Sequence, residues 1–342
     1  MTDSILEAVQ ISRTFTAQED FTGKIVRSVL RQPKPRSLQA LCDVSLTLKT
    51  GEVLGVVGES GCGKSTLGRI LAGILPASAG HLRFCGQPIF DMDSITRAQT
   101  FLKIQMIFQD PMSSLNPRKR VADLISEAPT VHGLISPHEQ ASFVNDALIR
   151  VGLDPNSHSR FPHQFSGGQR QRINIARALA VNPEILICDE SVAALDVSIQ
   201  AQILNVFMQL KAEGNLSFIF ISHDLGVVEH LCDRVAILYL GRIVEIGTVE
   251  TLFKAPKHPY TQALLQEIPR IGTGKRRFNP IRGEIPSPLS PPSGCAFHPR
   301  CPHATTQCVR QMPGLREVGQ EHLAACHLVH GTVSHLPTEL SK

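Results

Sequence analysis

The sequence predicts an α/β fold with a helical insertion, followed by a small cysteine-rich C-terminal domain, and three observations lead there. Short apolar runs of strand length, at 53–57, 184–188, 216–222 and 234–241, alternate with segments of helical spacing. A glycine-rich turn over 58–65 joins the first of those runs to a helical pattern. Past residue 270 the composition shifts through the basic "RIGTGKRRFNP" and the proline-rich "IPSPLSPPSG" to a group of four cysteines.

Composition bounds the classes of function. With 342 residues, 42% hydrophobic and 19% charged, the chain can bury the core of one large or two modest domains. The start "MTDSILEAVQ" has neither the basic nor the apolar region of a secretory signal, and no apolar run approaches the ~18 residues of a membrane span. Any membrane role is therefore expected to be peripheral. A net charge of +4 argues for no nucleic-acid partner. The stretch 24–36 has five basic residues and no acidic one; it reads as a solvated loop or as a patch for phosphate head groups or an acidic partner.

The first element to justify is "EVLGVVGESGCGKSTLGRILAGIL", residues 52–75. Val53 to Val57 read as a buried strand, and Leu67, Ile70, Leu71 and Ile74 mark a helix from Lys64 onward. Between them, Gly58, Glu59, Ser60, Gly61, Cys62, Gly63, Lys64 and Ser65, with Thr66 next, satisfy G-x-x-x-x-G-K-[ST] in the strand-to-helix setting that pattern needs. Glycines let successive backbone N–H groups converge on phosphate oxygens, and the helix start adds positive potential. Lys64 then suits the β and γ phosphates and the Ser65 hydroxyl a Mg²⁺ ion. A chance lysine after a tight turn would lack these flanking elements.

"EILICDE", residues 184–190, reads as a buried strand with Asp189 and Glu190 at its carboxyl end, where open α/β sheets collect ligands. Asp189 fits a Mg²⁺-holding acid and Glu190 a residue that polarises an attacking water. By itself this acidic pair could also be a helix cap with a solvated neighbour. In "FSGGQRQRINIARALA", Ser166, Gly167, Gly168 and Gln169 open a helix and form a second anion-binding device. A head-to-tail dimer would use both devices on one nucleotide.

The ordered motifs "GESGCGKST", "IFQD", "FSGGQ", "LICDE", "ALD" and "ISHD" resemble the ATP-binding-cassette (ABC) ATPases, whose phosphate-loop (P-loop) NTPase fold the chain is then expected to share. The resemblance spans residues 5–270. Finer features, "QMIFQDPMSSLNPR", "RFPHQFSGGQRQRI", "HPYTQALL" and "GEIPSPLSPPSGCAFHPRCP", are similar to the ATPase subunits of oligopeptide, dipeptide and nickel importers, and the long basic insertion suggests the second of the two such subunits, OppF/DppF-like. The resemblance implies that Gln109 senses Mg²⁺ and γ-phosphate, that His223 contacts γ-phosphate, and that Asp196 crosses a dimer interface. Ser166 to Gln169 would complete the partner's ATP site, and Phe15 would stack on adenine unless it is a core residue of the first strand. Ser191 and Ala193 stand where the family usually has proline and serine. Implied partners are a second ATPase subunit, with a heterodimer expected, two permease subunits and a solute-binding protein, at the cytoplasmic face of the inner membrane. The transported solute would be a di- or oligopeptide, with nickel or glutathione as alternatives within the family. A soluble cassette acting on nucleic acid or ribosomes is the alternative class, but the span from Lys64 to Ser166 has no room for a long coiled coil.

The expected layout is an ATPase domain over 1–270, with its helical subdomain at about 111–165, and a C-terminal domain over 271–342. Of nine cysteines, Cys42, Cys62, Cys85, Cys188 and Cys232 are dispersed and read as small buried or incidental residues. Cys295, Cys301, Cys308 and Cys326 have five, six and seventeen residues between them, which is no C-x₂-C zinc motif. Their spacing leaves zinc, an iron–sulfur cluster and free thiols open, and His298, His303, His322 and His327 keep a mixed Cys/His site in play. The family resemblance implies a [4Fe–4S] cluster on the four cysteines.

Overall fold

The computed structural model describes residues 4–16, 37–191, 196–214, 216–268, 281, 283–329 and 332–333. The basic stretch 24–36, Ala193 and the boundary expected near residue 270 lie outside the described residues. The strands, in chain order, are β1 (Ser4–Thr16), β2 (Ser37–Lys49), β3 (Val53–Val57), β4 (Ala79–Phe84), β5 (Gln87–Pro88), β6 (Ile104–Ile107), β7 (Ile185–Asp189), β8 (Ser217–Ser222), β9 (Arg234–Tyr239), β10 (Arg242–Thr248), β11 (Arg316–Gly319), β12 (His322–Ala324) and β13 (Thr332–Val333). The helices that position the site are α1 (Lys64–Leu71), α2 (Val121–Val131), α3 (Gln140–Arg150), α4 (Gly167–Leu179), α5 (Val197–Ala212) and α6 (Pro259–Gln266).

Two sheets form the frame among the described residues. One is antiparallel, in the order β2-β1-β4-β5; the other runs β13-β11-β12-β10-β9-β3-β8-β7-β6. Its heart, β9-β3-β8-β7-β6, is parallel, with pairs such as Val56↔Ile221 and Ile187↔Ile219. Strands β3, β7 and β8 are buried along their whole length, which is why they read as unbroken apolar runs. Successive side chains still alternate between faces. Val53, Val57, Leu186, Cys188, Phe218 and Phe220 face a core shared with α2, α3 and α4. Leu54, Val56, Ile185, Ile187, Ile219 and Ile221 face one shared with α1 and the antiparallel sheet.

The helical segment expected at about 111–165 contains α2 and α3, and Leu124, Ile125, Val144 and Leu148 bury its apolar side in the first core. One residue of the α1 pattern departs. Ile74 lies beyond Leu71 and is 53% exposed, because the helix stops at the turn around Gly73, whose φ is +70°. At the other end of the chain, β12 pairs with β10 through Glu245↔Ala324 and Ile246↔Leu323. The cysteine-bearing segment thus extends the main sheet, and its Ala296 and Phe297 enter the first core. A short segment gains in this way the burial it could not build alone.

Candidate active site

Strand β3 ends at the glycine-rich loop because Gly58 admits no side chain: a Cβ there would stand 2.1 Å from the Leu238 carbonyl oxygen. The loop then closes onto α1 through Gly63 at φ +108°, a left-handed conformation that favours glycine. Lys64, 4% exposed, donates to the carbonyls of Gly58 at 2.8 Å and Glu59 at 3.1 Å. Ser65 Oγ donates to Asp189 Oδ1 at 2.9 Å, joining the loop to the end of β7. Burial pushes the Asp189 carboxyl above its ordinary range, and the Ser65 hydrogen bond only partly offsets this. Such oxygen donors match the preference of Mg²⁺ for hard ligands, so the residues present fit that ion.

Glu190 follows with φ +45°, a left-handed backbone that few non-glycine residues adopt. Its N–H donates to the Ile221 carbonyl at 3.0 Å, which holds this conformation against β8. Its side chain is where three sequence motifs meet. Gln109 Nε2 donates to Oε2 at 2.7 Å, His223 Nδ1 stands 3.5 Å from Oε1, and Lys64 Nζ stands 3.8 Å from the same oxygen. Gln109, Glu190 and His223 come together because β6, β7 and β8 are parallel neighbours that end on one edge.

A cavity of about 520 Å³ opens here, lined by Ser60, Gly61, Gly63, Lys64, Ser65, Thr66, Gln109 and Glu190. Phe15 lines it too. It is 36% exposed, with the Arg13 guanidinium 4.7 Å above its ring, so it is no core residue. Cys62 is 4% exposed, and burial pushes its thiol up to about 11, which keeps it protonated and inert beside Lys64. Ser166, Gly167, Gly168, Gln169 and Asp196 do not line this cavity. Ser166 caps α4 in a reciprocal pair with Gln169, accepting at 3.3 Å and donating its N–H at 3.0 Å. Asp196 stands exposed at the start of α5.

The four C-terminal cysteines do approach one another: Cys308, Cys326 and Cys301 all act on the Cys295 thiol, which burial pushes up to about 11. Among the described residues, however, no group of three or more His, Cys, Asp or Glu side chains is arranged to hold a metal ion. The iron–sulfur expectation therefore gains no support from the geometry. The mixed Cys/His alternative gains no such group either, and three of its histidines each make another contact through one ring nitrogen. His322 Nε2 is 2.7 Å from Glu245, His298 Nδ1 is 2.9 Å from the Cys295 carbonyl, and His327 Nε2 is 2.8 Å from the Gln311 carbonyl.

Residues that motif spacing did not single out also reach the loop. Glu59 N–H donates to the Tyr260 hydroxyl at 3.0 Å, and Arg300 grips the Glu59 carboxylate with both terminal nitrogens, at 2.7 and 3.0 Å. Pro288 lines the cavity. Tyr260, Pro288 and Arg300 lie within the family-like stretches 258–265 and 283–302, but nothing local shows that they reach the loop, because each acts across a long stretch of chain.

Fold and site together define a phosphate-loop nucleotide-binding protein with an acidic pair at the strand end facing the loop. Comparison with known proteins narrows this class. Residues 41–193 match the family model described as ABC transporter, and residues 244–308 match oligopeptide/dipeptide transporter, C-terminal region. The chain is 48% identical over 307 residues to the oligopeptide transport ATP-binding protein AppF of Bacillus subtilis, covering 89% of this chain and 93% of that one. It is 47% identical over 296 residues to the oligopeptide transport ATP-binding protein OppF of Escherichia coli, covering 85% and 88%. A dimeric post-hydrolysis state of the ATP-binding cassette MJ0796, bound to ADP and Pi, matches with a TM-score of 0.60 at 25% identity, covering 71% of this chain and 98% of that one. The chain belongs to the ABC transporter family of ATPases, among the oligopeptide and dipeptide transport ATP-binding proteins.

Proposed function

We propose that this chain hydrolyses ATP to drive import of di- or oligopeptides through a binding-protein-dependent transporter, with Glu190 as the residue that orients and deprotonates the attacking water. The observation that carries the chemistry is the position of the Glu190 carboxylate between Gln109, His223 and Lys64. Lys64 and the loop N–H groups hold the β and γ phosphates. Bound Mg²⁺, held by Ser65, Asp189 and Gln109, supplies charge neutralisation for the phosphates. Water attacks the γ-phosphorus in line, the bond to the ADP oxygen breaks, and Glu190 takes the proton as ADP and phosphate form. His223, half exposed, contacts the γ-phosphate and holds the water geometry. Phe15 stacks on adenine at the rim of the cavity.

Because Ser166 to Gln169 and Asp196 lie away from this cavity, they serve the site of a second ATPase subunit in a head-to-tail pair, a heterodimer by likeness to the peptide importers. Two permease subunits and a solute-binding protein complete the assembly at the cytoplasmic face of the membrane. No helix among the described residues is long and apolar enough to cross a membrane, so the permeases would provide the spans. The narrower division into a 1–270 ATPase domain and a 271–342 cysteine-bearing domain belongs to the same reading. So does a [4Fe–4S] cluster, which rests on the family resemblance and thiol chemistry and is tested by iron analysis after anaerobic purification.

The decisive experiment extracts the chain from membranes in detergent and reconstitutes it with its co-purifying subunits. Peptide-stimulated ATP hydrolysis is the expected result; salt-sensitive binding to DNA or RNA without permeases would favour the nucleic-acid class instead.

A further inference from the structure

The loop residue Glu59 is held from the far end of the chain. Arg300 closes a bidentate pair on its carboxylate, with the two side chains 4% and 22% exposed, and its Nη1 also lies 3.5 Å from the Tyr239 hydroxyl. A fork of this kind fixes direction as well as distance. Arg300 is itself held in place. It ends the single turn His298–Arg300, bracketed by Cys295, whose carbonyl accepts from His298 N–H at 3.0 Å, and by Cys301. The preceding Phe297 packs on Tyr239 and Tyr260, with ring centroids 5.4 Å away in each case, and Tyr260 is the same residue that accepts from the Glu59 N–H. The Glu59 carbonyl in turn accepts from Lys64. One continuous set of contacts thus runs from the cysteine-bearing segment through Arg300 and Glu59 to the lysine of the phosphate loop.

We infer that Arg300 is a positioning residue for nucleotide binding, and that the segment over 283–329 sets nucleotide affinity through its grip on Glu59. The inference rests on the reading of Lys64 and its loop as the nucleotide site. Neither side chain needs to touch the nucleotide. Their pair holds the first turn of the loop so that its N–H groups and Lys64 are arranged before the phosphates arrive, which lowers the ordering cost of binding.

The test uses the purified full chain, calorimetric titration with MgADP and steady-state ATP hydrolysis. Arg300→Gln and Glu59→Gln are each expected to weaken MgADP binding on the order of tenfold and to raise KM for ATP in parallel, with kcat falling by less. The double variant should be no weaker than either single one, because both remove the same contact. Arg300→Lys should recover part of the affinity. Unchanged affinity in folded Arg300→Gln and Glu59→Gln, or losses that simply add in the double variant, would overturn the inference. If Arg300→Gln does not fold, Glu59→Gln decides: wild-type affinity there is equally fatal. Lys64→Ala separates the two levels. Its failure to weaken MgADP binding sinks the nucleotide-site reading and the inference with it, whereas loss in Lys64→Ala with wild-type affinity in the other variants sinks the inference alone.

Discussion

Gln109 Nε2 donates a 2.7 Å hydrogen bond to Glu190 Oε2, joining residues just past the ends of the neighbouring parallel strands β6 and β7. The contact aims the Glu190 carboxylate across the loop and leaves its second oxygen facing His223 and Lys64. Under the proposed function a residue in this position would act on water near the γ-phosphate without being needed to hold the nucleotide.

Glu190→Gln keeps the size and the hydrogen-bonding reach of the side chain but removes its basicity. Phosphate release is expected to fall by roughly 10²–10⁴-fold, while equilibrium binding of ATP stays within a few-fold of wild type. Parallel loss of binding would place Glu190 in the nucleotide cradle instead.

Asp189 is costly to ionise without its metal, because burial raises its pKa. A carboxyl raised on folding contributes stability below its unfolded pKa, and that contribution is lost as pH rises through the folded value. Asp189→Asn should therefore raise the melting temperature of metal-free protein at neutral pH and flatten its pH dependence in the carboxylate range. It should also remove the Mg²⁺-dependent gain in stability expected of wild type in the presence of nucleotide.

His258 runs the opposite way. Fully buried and accepting from the Tyr260 N–H at 3.0 Å, it is pushed by desolvation down to about 4. Unfolding restores an ordinary histidine near pKa 6.5, so the unfolded chain binds the extra proton first as pH falls. Stability from this group is complete above pH ~6.5 and is lost progressively toward pH ~4, by about 3 kcal/mol in all. Denaturant titrations at a series of pH values should show that loss in wild type and a shallower slope in His258→Asn.

Two glycines of the loop should respond differently to alanine. Gly58→Ala drives a Cβ to 2.1 Å from the Leu238 backbone oxygen, which cannot move aside cheaply, so displacement of the loop and loss of MgADP binding are expected. Gly61→Ala meets nothing within 4 Å and bears only its φ of +80°, about 1–2 kcal/mol. Thermal melts of nucleotide-free protein should separate the pair clearly.

Much of the site was legible in the sequence because its parts are local. The loop over 58–65 needs glycines at set places between a strand and a helix, and that pattern survives in one dimension. Asp189 and Glu190 were legible because a strand end marks itself by a change from apolar to acidic residues. For Phe15 the sequence left open adenine stacking, implied by the family resemblance, and a place in the core of the first strand; its exposure at the cavity depended on how β1 lies in the antiparallel sheet. The cysteine group was the least legible part, since spacing on a loop-rich segment does not say whether thiols converge in ligand geometry.

The sequence by itself determined the nucleotide-binding class, the alternation of strands and helices, and the places of Lys64, Asp189 and Glu190. These follow from short-range rules: backbone freedom at glycine, periodicity of burial, and the placement of ligands at strand ends. Only the tertiary structure decided that Arg300 holds Glu59 across 241 residues, and that the last of the described strands complete the sheet that carries the loop. Such contacts depend on the three-dimensional approach of elements far apart in the chain, and no local pattern records which arginine or which strand edge will arrive there.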